Sequence, residues 1–328
     1  MKEISFISLN KARWSNFEKQ LDSPGSISPD DLADQYILLT NDLSYARTFY
    51  PESGIVDYLN GLSAKSHSLI YRNKKEKSSR LLSFWVKELP VALYEARKDF
   101  LWSLIIFSIS IMIGVAGAIA DSDLIRLILG DAYVNMTLDN IAKGDPLGVY
   151  GKMTPFLMFL SITFNNVYVS FVAFLFGVLT PLGTAYVLFR NGVMVGSFIT
   201  FFFQQSLGTV ASITIMIHGT LELSAIVLAG GAGILLGKSI LFPGTYTRKD
   251  SFLKGVRRGT KIMLGLVPFF VIAAWIESYI TRHYNTMSTL SAILIIALSL
   301  GLILWYFVIV PYYVYRKTNS NEKHRNPN

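Results

Sequence analysis

The chain has 328 residues, of which 52% are hydrophobic and only 16% charged, with 22 Phe, 17 Tyr and 24 Gly. Soluble domains carry about a quarter of their residues charged, so this balance argues against a soluble protein. Cysteine is absent, which removes disulfides and thiolate metal centres, and the formal charge of +8 gathers between apolar runs instead of forming a nucleic-acid surface.

Residues 1–80 read as a cytoplasmic helical domain. Met1 to Gln20 mixes Lys2, Glu3, Lys11, Arg13, Glu18 and Lys19 among its apolar residues and lacks the unbroken core of a secretory signal. Phe6, Leu9, Arg13, Phe17 and Leu21 recur at near-helical spacing. A second helix starts where Ser28 can cap, Pro29 suits the first position, and Asp30 and Asp31 face the positive end of the dipole. Leu32, Tyr36, Leu39 and Leu43 give it an apolar stripe, and Pro51 closes it. A third helix is expected over Gly54 to Tyr71, followed by the basic run Arg72, Lys74, Lys75, Lys77 and Arg80, read as a solvated face beside anionic lipid.

Residues 81–99 form an amphipathic interfacial helix that Pro90 should kink or stop. The membrane domain then covers 100–315, with spans at about Phe100–Ala120, Pro155–Leu179, Thr184–Phe203, Ile213–Phe242, Ile262–Tyr279 and Leu290–Val310. Asp121 to Thr154 is too polar to cross and is expected to hold a short surface or re-entrant helix. Arg248, Lys249, Lys254, Arg257, Arg258 and Lys261 are read as a loop before the fifth span, and residues 316–328 as a basic tail. The fold class is therefore all-α, a polytopic bundle of about six transmembrane helices. With six spans every strongly basic region falls on one side, which places both termini in the cytoplasm.

The fourth span, ITIMIHGTLELSAIVLAGGAGILLGKSILF, organises the rest. His218 and Glu222 are four residues apart and share a helix face. Gly230, Gly233 and Gly237 supply a line of minimal side chains on which other helices can close. Asn165 and Asn166 in the second span, Asn191 in the third and Glu277 near the end of the fifth are the other polar groups at membrane depth, and such groups seek protein partners or water. The six polar residues are read as an intramembrane network.

Asn165-Asn166, Thr180-Pro181-Leu182-Gly183, Asn191-Gly192, His218-Gly219-Thr220-Leu221-Glu222, Ala229-Gly230-Gly231-Ala232-Gly233, Pro243-Gly244 and Ala273-Ala274-Trp275-Ile276-Glu277 occur in this order. Together they resemble the stage II sporulation protein M family over about Leu81 to Arg316. The resemblance implies a multi-span bacterial inner-membrane protein. The best-known members act in the engulfment machinery of endospore formers with peptidoglycan-remodelling partners, and similar proteins are widespread in bacteria that do not sporulate.

Weighed on their own, His218, Glu222 and Glu277 admit three uses, namely a packing network that fixes the helices, a proton or ion path, or a metal site. The packing network is preferred, because a third firm ligand is lacking, Glu222 lies where a second histidine would sit in a zinc-protease helix, and His218 and Glu277 lie near helix ends where water can hydrate them. No metal and no cofactor is assigned. The glycines never stand in a nucleotide-loop context, and the serines lack a base and acid, so no enzyme is expected. The functional expectation is a non-enzymatic scaffold or assembly component of an envelope-remodelling complex, with an ion-coupled transporter, channel or transport-system subunit as the alternative. Its partners would be the lipid bilayer and membrane or envelope proteins; nucleic acid is excluded, and a homo-oligomer is left open.

Overall fold

The computed structural model describes residues 2–22, 27–70, 79–148 and 153–325, which form two compact units, 1–80 and 81–328. Helices account for the regular structure, and no strand occurs among the described residues.

The first unit contains α1 (Glu3–Asp22), α2 (Pro29–Phe49) and α3 (Gly54–Ile70). Ser28 caps α2, its hydroxyl accepting from the Asp31 amide at 3.1 Å. Phe6, Trp14, Phe17 and Leu21 of α1 bury against Leu39, Leu43 and Ala46 of α2 and Leu59 and Leu62 of α3. The buried face of α1 thus runs through Trp14, while Leu9 points to solvent at 70% exposure. The reason is polar as well as apolar: Asp42 accepts from Trp14 Nε1 at 2.7 Å and pairs with Arg13, which fixes the turn of α1 toward α2. Tyr71 and the basic residues Arg72, Lys74, Lys75 and Lys77 lie outside the described residues.

The second unit opens within α4 (Ser79–Ser83), followed by a π-helical turn (Phe84–Glu88) and α5 (Leu89–Glu95). The π turn ends just before Pro90, which has no N–H and crowds the carbonyl four residues back; the wider turn accommodates it without a break. Leu89, Ala92, Leu93 and Ala96 are fully buried in the bundle core, so this amphipathic segment docks its apolar face on protein.

Six helical stretches are long and apolar enough to cross a membrane: Arg97–Ala120, Pro155–Val178, Pro181–Gln204, Gly208–Leu241, Arg248–His283 and Thr289–Ser320. They are built on α6 (Arg97–Ala120), α9 (Pro155–Leu175), α10 (Pro181–Gln204), α11 (Gly208–Leu241), α12 (Arg248–Trp275), α13 (Thr289–Leu304) and α14 (Val310–Arg325). Between α6 and α9 the chain forms α7 (Asp123–Leu129) and α8 (Asp131–Ala142). Of the α11 window, 72% is buried, against 17% for the last span, so α11 is the axis around which the others pack. The last span shows Leu290, Ile293, Leu294 and Leu298 of α13 outward, as a lipid-facing surface should.

Two boundaries differ from the sequence reading. The segment Arg248 to Lys261 is the first part of α12, not a loop. Thr247 caps it, accepting from the Asp250 amide at 3.2 Å, and Ser251, Gly255 and Gly259 make a buried ridge of small residues. Its basic side chains are held from the flanks: Lys261 meets Glu88 at 2.5 Å and Arg258 meets Glu95 at 3.0 Å. The tail likewise continues as helix through Arg325.

Glycines set the approach of the helices. A Cβ at Gly114, Gly192 or Gly196 would strike the facing helix where α6 crosses α10. Gly177 abuts the backbone of Gly233, and Gly237 lies under Pro181, so α11 touches the α9–α10 turn backbone to backbone. Gly230 closes on Ser103 and Leu188, and Ser103 Oγ donates to the Val227 carbonyl at 2.6 Å. Gly230, Gly233 and Gly237 therefore pack within one chain.

Candidate functional site: a polar cavity in the spanning bundle

A cavity of about 590 Å³ opens between α7, α8, α9, α10, α11 and the end of the fifth span. All six of Asn165, Asn166, Asn191, His218, Glu222 and Glu277 line it, brought together from four spans. Each is placed by local structure. His218 and Glu222 share a face of α11, as their spacing requires. Glu277 stands on a second π-helical turn, Ile276–Ile280, which follows α12. The extra residue in such a turn rotates the side chains that follow and re-aims them, and π turns recur at functional positions.

His218 is 5% exposed. Its Nδ1 lies 3.2 Å from Thr281 Oγ1, and its Nε2 lies 3.7 Å from Glu277 Oε1. One ligand-type atom from each of His218, Glu222 and Glu277 falls within 4.8 Å of the other two. Asn166 is buried beside Glu222. Asn165 is exposed at the rim and donates to Asn166 Oδ1 at 3.4 Å. Asn191 is turned partly back on its own helix, donating to the Val187 carbonyl at 2.8 Å. No lysine or arginine is among the lining residues, so nothing cationic from the described part of the chain offsets the two carboxylates there.

Outside the spans, Ile125, Val134 and Leu147 of the intervening segment pack with Phe201 and Phe202 of the bundle, and a polar contact adds to them. Tyr284 donates to Asp145 at 2.6 Å and accepts from the Leu147 amide at 3.2 Å. Burial, then the Asp145 hydrogen bond, raises the Tyr284 phenol above its ordinary 10.0.

Sequence reasoning missed Thr281, the hydroxyl that orients His218, because nothing in the sequence pairs positions 63 residues apart. It also passed over Arg190, an exposed cation inside the third span that lines a second groove with Tyr168, Tyr186 and Asn191. That signal was present: an ionisable residue within an apolar run is a functional candidate by default.

The fold and cavity define a polytopic helical membrane protein with a buried histidine–carboxylate centre. A family model described as Stage II sporulation protein M matches residues 103–282, more than half of the chain, and the chain belongs to that family. The cavity's six polar residues and Gly230, Gly233 and Gly237 all lie within this stretch. A second model, described as a domain of unknown function (DUF8413), matches residues 4–72. No curated protein and no solved structure matches the chain.

Proposed function

We propose that the chain is a non-enzymatic scaffold or assembly component of an envelope-remodelling complex, set in the bacterial inner (plasma) membrane with both termini in the cytoplasm. The observation that carries this reading is the closed half of the bundle. The cavity reaches along α11 only as far as Ile226, and from Ala229 to Gly237 the helix is buried, packed against α6, the α9–α10 turn and α10 through Gly230, Gly233 and Gly237. A layer in which backbones touch leaves no route for a hydrated ion, whereas a rigid bundle that presents lipid-facing spans and a helical unit with its own core suits an assembly role. Sidedness follows the basic residues, which gather before the first span, around Arg248 to Lys261 and after the last.

A second reading, an ion-coupled transporter or transport-system subunit, is favoured by one observation, the cluster of intramembrane carboxylates and a histidine at a cavity. Quantitative co-purification from native membranes separates the two. The scaffold reading expects a wall-remodelling enzyme or other envelope protein at fixed stoichiometry; an ATP-driven transport subunit at fixed stoichiometry would overturn it.

A further inference from the structure

Arg190 carries a positive charge into the depth of the bilayer. At about 1.5 Å per residue it stands about 14 Å from the nearer end of a span about 36 Å long, deeper than the end positions from which arginines snorkel to the headgroups. Its side chain is exposed, and among the described residues no carboxylate pairs with it and no hydrogen bond reaches its guanidinium. An arginine at such depth ordinarily pairs within protein or faces a water-filled cavity. We propose that Arg190 anchors a docking groove for a transmembrane helix of a different protein, one that carries an aspartate or glutamate at mid-membrane depth.

The groove fits such a partner in shape, chemistry and charge. It has a volume of about 490 Å³ and runs beside Arg190 between α9 and α10. Its walls, from Tyr168 to Phe176 on one side and from Tyr186 to Met194 on the other, each extend about 12 Å, or about two turns of helix. They are mostly apolar, through Val172, Phe176, Phe189 and Val193. A segment lying on such walls in lipid must satisfy its own backbone, which makes the occupant a helix and not a loop. Tyr168 lies about 15 Å from Val178, so its phenol starts from the same depth as Arg190. A guanidinium offers N–H donors and no acceptor, and a carboxylate takes two of those N–H groups at once. A second copy of this chain has no carboxylate free at that depth. The acidic residues of the six spans are Asp99, Glu222, Asp250 and Glu277. Glu222 and Glu277 line the cavity of their own chain, while Asp99 and Asp250 sit in the first turns of their helices, and Asp99 pairs with Lys238 at 2.6 Å. The charge that complements Arg190 therefore comes from another protein.

The proposal goes beyond the scaffold reading, because a transport-system partner would need the same carboxylate. The test uses the full-length chain in vesicles of zwitterionic phospholipid, with a donor dye on a single cysteine introduced by Leu182→Cys at an exposed position. The probe is a leucine-rich transmembrane peptide that bears an acceptor dye and one glutamate at its centre. Peptides with leucine or lysine at that place are the comparisons, and energy transfer reports association. The glutamate peptide is expected to bind the wild type about 10-fold or more tightly than the leucine peptide. Arg190→Leu should abolish that preference, and Arg190→Glu should transfer it to the lysine peptide. Equal binding of the glutamate and leucine peptides to the wild type overturns the proposal, and so does a preference that survives in Arg190→Leu. Two other occupants would also sink it: an anionic phospholipid retained by the purified wild type and not by Arg190→Leu, with no peptide preference, or a dimer that Arg190→Leu dissociates. Should Arg190→Leu fail to fold by circular dichroism, the wild-type comparison of the glutamate and leucine peptides decides the matter. Peptide binding does not depend on partner recovery, so failure here and failure of the scaffold reading are told apart.

Discussion

Gly237→Ala tests the closed half of the bundle with a single methyl group. A Cβ at this position lies 2.5 Å from Pro181 N, 2.6 Å from Pro181 Cδ and 2.9 Å from the Gly177 carbonyl oxygen. Two of these atoms are backbone and the third belongs to a rigid ring, so no change of rotamer relieves the clash. Ordinary carbon contacts begin at about 3.5 Å, and α11 must therefore retreat from the α9–α10 turn by about 1 Å. Overpacking of this kind costs about 1–3 kcal/mol. Against it stands the usual gain of about 0.5–1 kcal/mol for alanine over glycine within a helix. The expected net loss is about 0.5–2 kcal/mol, or roughly a 2- to 30-fold fall in the ratio of folded to unfolded chain. Gly301→Ala is the matched control, since it lies in α13 with nothing within 4 Å of its Cβ and should gain the helix term alone. Reversible denaturant unfolding of the purified chain, followed by circular dichroism, gives both values. Equal stability of the two variants would refute the claim that backbone contact shuts this half of the bundle.

Three further outcomes are expected. In the first unit, Asp42→Ala strands the buried Trp14 indole N–H and should cost about 1–3 kcal/mol, seen as faster hydrogen exchange across α1 to α3; Asp42→Asn, which keeps an acceptor, should cost less, and the reverse order would contradict the assignment. Burial, followed by the hydrogen bond to Glu18, raises the Tyr58 phenol to about 12. A folded value above the unfolded one of about 10 means this stability is complete below pH 10 and is lost as pH rises toward 12, so the alkaline loss of first-unit protection should be blunted in Tyr58→Phe. Because cysteine is absent, single-cysteine labelling can map the sides: exposed positions Lys143 and Thr286 should react from outside the cell, and Asp250 and Ser320 only after permeabilisation. Labelling at Thr286 only after permeabilisation would exclude the six-span arrangement proposed.

Much of the fold was legible because membrane helices announce themselves by length and composition. Long apolar runs must satisfy their own backbone, which identified six helical spans and the central place of the fourth. Helix starts were harder to read where a span extends beyond the apolar layer. The stretch Arg248 to Lys261 looks like a loop by charge, and only the Thr247 cap and the Ser251–Gly255–Gly259 ridge reveal a helix. The inner face of α1 was misplaced at Leu9 because the pairing of Trp14 with Asp42 joins two helices and leaves no periodic trace. At the site, the spacing of His218 and Glu222 was enough to place both on one face, yet the meeting with Glu277 depends on a π turn, which no simple sequence period encodes. The asymmetry of the asparagines, with Asn166 buried and Asn165 at the rim, was equally hidden, since adjacent residues on a helix differ by about 100° in direction.

The central claim, that the polar cavity ends in a closed bundle and does not serve a pathway, is tested most directly by flux. Wild-type protein, Glu222→Gln and Glu277→Gln are reconstituted in proteoliposomes with assembly and helicity verified, and proton and cation flux are measured across a pH series against empty vesicles. The account predicts flux at the empty-vesicle level from all three, because the packing of Gly233 and Gly237 against the α9–α10 turn bars passage whatever the charge state of the glutamates. Robust flux from the wild type that disappears in both glutamine variants, with assembly intact, would contradict it.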